Sequence, residues 1–147
     1  MKKIILVIFL LPFFSFSQSP TWAWGIGGTA TGYITGHSIC NDPNGFMYVT
    51  GDYNSDSLVL GAFTIYNYPL GGHEIYVAKI DSNGNVIWTK RFGGLTGDYG
   101  VSICSDNTGN IYVSGQYQSD YVIFDTDTIY NFNTSTTNPY DIFLIKL

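Results

Sequence analysis

The chain has 147 residues, 45% hydrophobic and 12% charged, with a formal charge of −5. That is apolar material for one packed domain and excludes a disordered acidic tail, while the negative balance excludes a phosphate-backbone binder, which needs clustered Lys and Arg. One Glu, four Ala and three Gln against 17 Gly and 12 Tyr exclude a set of amphipathic helices and point to an all-β fold.

Residues 1–17 read as a signal peptide. Lys2 and Lys3 form a positive n-region, Ile4 to Leu11 and Phe13-Phe14 an apolar core, and Ser15-Phe16-Ser17 a cleavage site before Gln18. The apolar run is shorter than the ~20 residues that span a bilayer, which argues against an anchor. No Cys follows the site, which argues against a lipoprotein. Cleavage after Ser17 leaves Lys79, Lys90, Arg91 and Lys146 against eleven acidic side chains, a balance near −7. The protein is expected to be secreted or held at the outer cell surface, with no nucleic-acid partner and no membrane insertion after cleavage.

Residues 18–147 repeat internally. Ser38-Ile39-Cys40 returns as Ser102-Ile103-Cys104, and Gly45 to Gly51 (GFMYVTG) returns as Gly109 to Gly115 (GNIYVSG), both 64 positions on. Tyr53, Ser55, Asp56 and Thr64 to Asn67 recur at the same offset. Trp22, Gly27 and Gly28 match Trp88, Gly93 and Gly94 at 66, while Ile75 and Lys79 match Ile142 and Lys146 at 67. About twenty identities in register mark one supersecondary unit that stacks on its neighbour.

Within a unit, apolar residues alternate and turn residues separate the runs. Strands are expected at His37 to Asn41, Phe46 to Tyr53, Leu58 to Leu60, Phe63 to Tyr66, Glu74 to Ile80 and Asn85 to Phe92. Asp42-Pro43-Asn44-Gly45 and Asp81-Ser82-Asn83-Gly84 join principal strands as hairpin turns, because Gly accepts the positive φ such turns require. Each unit is therefore four main strands, A to D, plus an inserted ribbon. A four-stranded antiparallel unit in tandem predicts β-propeller blades. A β-sandwich is the alternative, but it gives no reason for near-identical strand sets.

Glu74 to Trp88, Gly93-Gly94, Ser102 to Cys104 and Gly109 to Gly115 together resemble the SBBP-type β-propeller repeat. The resemblance implies two tandem blades of an incomplete propeller and a secreted protein of a Gram-negative bacterium. Such repeats often lie in large surface proteins that end in a type IX sorting domain. The family supplies no catalytic residues to transfer. On this frame residues 22–28 are a lone D strand, 36–92 are blade one, and 100–147 are blade two without its last strand. Two readings of that arrangement stay open. Further repeats could belong downstream, the chain then being a fragment of a larger secreted protein; or open blade edges could drive self-association, the lone D strand of one copy completing the C strand of another.

Chemical constellations are sparse. His37 and His73 do not recur and are far apart in sequence, which speaks against a zinc site. The two Asp-x-Asn-Gly loops lack the alternating acids and distal Glu of a calcium loop. No nucleophile elbow, zincin or Walker pattern occurs. No catalytic residue, cofactor or metal is assigned. Cys40 and Cys104 occupy equivalent inner-strand positions, too far apart for a bridge, and are expected as buried free thiols. The recurring Tyr48, Tyr53, Trp88, Tyr112 and Tyr117 read as packing residues.

Recognition is then expected among what does not repeat: Tyr33, Thr35, Asp98 and Tyr99 in the D-to-A connections, and Tyr68, His73, Asn133 and Tyr140 around the ribbons. The function implied is a non-catalytic binding or adhesion module for a protein or glycan. A structural spacer and part of a polysaccharide-acting enzyme are the alternatives. Asp56-Ser57-Leu58 and Asp127-Thr128-Ile129 resemble an O-glycosylation acceptor motif of exported bacterial proteins. Intact mass of protein from the native host should exceed that of residues 18–147; a mass equal to the bare polypeptide removes the glycosylation reading.

Overall fold

A computed structural model describes residues 22–67, 72–133, 135, 137 and 139–147. The expected signal peptide and Tyr68 lie outside the described residues. Strands in the first half are β1 (Gly28–Ala30), β2 (Tyr33–Asn41), β3 (Met47–Asn54), β4 (Ser57–Leu60), β5 (Phe63–Tyr66), β6 (Glu74–Ile80) and β7 (Val86–Phe92). β8 (Asp98–Ser105), β9 (Ile111–Tyr117), β10 (Tyr121–Phe124), β11 (Asp127–Tyr130) and β12 (Asp141–Lys146) follow. The fold is all-β, with no helix among the described residues.

Blade one is the antiparallel sheet β2-β3-β6-β7, strands A to D in chain order. Blade two is the three-stranded sheet β12-β9-β8. The inserted ribbons are β4-β5, with β1 added on its edge, and β10-β11.

The hairpin turns owe their shape to one local device used three times. Gly45, Gly84 and Gly109 have φ of 85°, 85° and 86°, a backbone that costs an L side chain. Three residues earlier an Asp accepts two backbone N–H groups through Oδ1. Asp42 takes those of Asn44 and Phe46 at 2.8 and 3.0 Å; Asp81 takes those of Asn83 and Asn85 at 2.9 and 2.8 Å. Asp106 takes those of Thr108 and Asn110, both at 2.9 Å. The carboxylates thus close their own turns.

The two blades stack face to face, and period-two alternation decides which residues meet. One face of blade one, with Tyr48, Ile75, Val77 and Phe92, packs on Ile103, Ile111, Val113, Tyr117 and Phe143 of blade two; Val122 and Phe124 of the second ribbon fill the outer part of this layer. The opposite face, with Tyr53, Tyr76 and Ala78, packs under Leu58 and Leu60 of its own ribbon. Gly100 lets β8 press onto blade one: a Cβ there would lie 2.5 Å from Thr50 Oγ1 and 2.7 Å from Ile75 Cγ2.

Three expectations are corrected. The lone strand over 22–28 does not form: Trp22–Gly27 carries no strand, and Gly28–Ala30 pairs instead with β4. A D strand needs a C strand beside it, and here Trp24 lies against the β6–β7 turn, donating from Nε1 to Ser82 O at 3.1 Å. Second, the A strands begin earlier than expected, so Tyr33, Thr35, Asp98 and Tyr99 are strand residues rather than connections. The cause is a bulge at the same place in both blades, between Gly36 and Ser38 and between Gly100 and Ser102, which breaks the alternation a pattern relies on. Third, Cys40 and Cys104 are free but not both buried: Cys40 is half-buried and Cys104 exposed. Cys104 belongs to the face of blade two that no described element covers.

Asp42 is buried and also accepts the Tyr48 hydroxyl at 3.2 Å, whereas the bonds to Asp81 are exposed. Burial pushes the Asp42 carboxyl up, but the Phe46 and Asn44 amides with Tyr48 outweigh it and hold its pKa below the ordinary value. Asp42→Ala should therefore cost about 1–2 kcal/mol in denaturant unfolding, and clearly more than Asp81→Ala. Equal losses would contradict a role for the buried cap.

Candidate functional site

The blade-to-blade seam ends in a polar cluster. The bulge at Gly36/Ser38 frees His37 from the ladder, and its Nε2 meets Asp52 Oδ1 on β3 at 2.6 Å. His73, one residue before β6, sets its Nδ1 on Asp52 Oδ2, also at 2.6 Å. A buried carboxylate is stable only with such partners. Blade two has Val101 and Gln116 at the positions 64 residues on from His37 and Asp52, so the imidazole–carboxylate–imidazole group occurs in one blade alone.

Aromatic rings continue the cluster across the seam. The Tyr99 ring of β8 lies 5.0 Å from that of His73 and 6.0 Å from that of Tyr140, centroid to centroid. Burial, then Tyr140, pushes the Tyr99 hydroxyl pKa up to about 12. His73 and Tyr140 are the same position of the two repeats, 67 residues apart. Tyr99 is therefore held between two equivalent loops.

Two more acids lie buried beside the cluster. Asp98 accepts from Gly94 N and Ser119 Oγ through Oδ2 at 2.7 and 2.8 Å, and from Gln118 N and Ser119 N through Oδ1, both at 3.2 Å. Burial nonetheless raises its pKa. Glu74 is buried and pairs with Arg91 Nη1 at 3.3 Å. Burial is the main reason its pKa rises from 4.5 to about 7, Arg91 opposing and Asp98 adding to the rise. The neighbouring Tyr53 hydroxyl is buried without a hydrogen-bond partner among the described residues, and burial, then the Glu74 charge, pushes its pKa up. Among the described residues no three His, Cys, Asp or Glu side chains are placed to hold a metal ion.

The structure brings His73, Tyr99 and Tyr140 together, with Asp98 N donating to His73 O and Asn133 Nδ2 to Tyr140 O, both at 2.9 Å, as supports of the two loops. Tyr33 is exposed at the start of β2. Thr35 is exposed opposite Asp52 in the ladder. Asp98 is wholly buried as the anchor of the Gly94–Ser119 corner, so it offers no surface. Asn133 shapes its own loop, donating to Tyr140 O at 2.9 Å and accepting from Ser135 N at 2.9 Å. His37 and Asp52 complete the cluster although neither is an expected recognition residue. The available signal is an acid inside an alternating apolar strand, at a position its repeat fills with Gln.

Residues 87–116 match the family model of the SBBP β-propeller repeat. This stretch is similar to the SBBP-type β-propeller repeat. It spans most of β7, all of β8 and nearly all of β9, so the SBBP unit straddles both blades and carries the packing strand β8 with it. Tyr99 lies inside the SBBP match, while His37, Asp52, His73 and Tyr140 lie outside it. No curated protein matches the chain.

The raised Glu74 pKa has a definite sign in stability. Between about 4.5 and 7 folded Glu74 holds a proton that the unfolded chain releases. Its contribution is full below about pH 4.5 and is lost as pH rises through 7. Unfolding titrations from pH 5 to pH 8 should show the parent chain losing roughly 1–3 kcal/mol relative to Glu74→Gln. Parallel curves would contradict the burial argument.

Proposed function

We propose that this repeat module is a non-catalytic binding unit that works outside the cytoplasm, at the cell surface or after secretion. Its ligand surface is the seam between the blades. One observation carries the reading: His73, Tyr99 and Tyr140, which packing of the repeat does not require, converge there on the His37–Asp52 pair. Half-buried aromatic rings next to a carboxylate and imidazoles offer stacking faces and polar groups together. A glycan is the ligand class this mixture suits best. The oxygens of Asp52 and Asp98 are spent on bonds within the chain, which suits carboxylates that hold a surface in shape. The leader-like residues 1–17 and the acidic balance support an exported protein.

Binding to a glycan array tests the proposal. The parent chain should retain a defined set of glycans, and Tyr99→Ala or Tyr140→Ala should weaken that retention roughly 3- to 10-fold with the β circular dichroism unchanged. A chain that retains no glycan, or that binds equally without both rings, contradicts it and favours a spacer.

A further inference from the structure

The two blades present the same face to different surroundings. Ile75 and Val77 of blade one are both 0% exposed under blade two, whereas their counterparts 67 residues on, Ile142 and Leu144, are 85% and 69% exposed. Val101 and Cys104 lie exposed on the same sheet. The complementary face shows the converse: Ile103, which plugs the seam, is 4% exposed, and its counterpart Ile39 on blade one is 60% exposed. Removing such side chains from water is favourable, so one interface satisfied inside the chain leaves two half-interfaces that would gain by meeting.

Each half is a shallow groove. One is lined by Val101, Gly115, Ile142 and Leu144 on blade two. The other is lined by Gly36, His37, Ile39 and Val49 on blade one. Gly36 is the counterpart of Gly100, the residue that lets β8 sit against Thr50 and Ile75. At Gly36 the nearest atom to a built Cβ is Tyr76 Oη at 3.6 Å, so the close approach that Gly100 uses within the chain is unused there.

We infer that blade one of a second copy of this chain docks on the open face of blade two, with Ile39 of the incoming copy resting on Ile142 and Leu144 as Ile103 rests on Ile75 and Val77. The occupant is a second copy because this chain carries both halves, and because the intact half-pair inside it supplies the geometry. The contact is heterologous, face against face rather than edge to edge, so it closes a ring if the rotation per chain divides a full turn and extends otherwise.

The test uses protein purified from expression of the full coding sequence. Sedimentation velocity should show concentration-dependent association, and alkylation of Cys104 should slow as concentration rises. Ile39→Asp alone and Ile142→Asp/Leu144→Asp together alter exposed side chains, and each should leave a monomer with unchanged circular dichroism. Mixed, the two variants should form a 1:1 pair that cannot grow, since each keeps the half that the other lacks. A parent chain that stays monomeric at its highest soluble concentration overturns the inference, as does Cys104 alkylation that ignores concentration. Association that survives both sets of substitutions places the contact on the strand edges instead and also overturns it.

Discussion

Everything else in this molecule depends on the close approach of β8 to the face of blade one. A single four-stranded sheet with one apolar ribbon cannot bury both its faces. Here the second repeat supplies the missing cover: Ile103, Tyr117 and Phe143 close over Ile75 and Val77. Gly100 sets the distance, because any side chain there would meet Thr50 and Ile75 below normal contact. Two inner-strand hydrogen bonds fix the register along the seam: Ile103 N donates to Ser38 Oγ at 3.3 Å, and Ser105 Oγ donates to Asn41 O. Cys40 and Cys104 sit between these ties as equivalent side chains of successive blades. Equivalent side chains point the same way round the stack, so the pair stays unbridged.

The same approach creates the polar end of the seam. The bulge that lets β2 bend also releases His37, and burial of Asp52 under blade two then demands the two imidazoles. Tyr99 arrives on β8, so it reaches His73 only because the blades are in contact. Packing and the candidate binding surface are thus one arrangement read at two heights: apolar along the strands, polar and aromatic where the connecting loops gather.

Most of the fold was legible because its signals are local. Asp42, Gly45, Asp81 and Gly84 announce their turns within four residues, and the offsets of 64 to 67 give the strand order of one blade from the other. What failed needed a partner outside the local pattern. Trp22–Ile26 looks like β7 in sequence but lacks a C strand to pair with, and Tyr33 to Gly36 was hidden by the bulge. The site was half legible. His73, Tyr99 and Tyr140 stand out as residues that packing does not require. Asp98 stands out equally, yet Gly94, Gln118 and Ser119 bury it in a corner that no spacing rule displays. Asp52 is not legible as a site residue in the sequence, because its partners lie 15 residues before it and 21 after.

Paired substitution of the two equivalent bulge glycines tests the central claim most directly. With blade two pressed on blade one, Gly100→Ala must displace Thr50 or Ile75 and should cost about 2 kcal/mol in denaturant unfolding, whereas Gly36→Ala meets no atom closer than 3.6 Å and should cost far less at low protein concentration. Equal and small losses at both positions would mean that the blades do not stack as described.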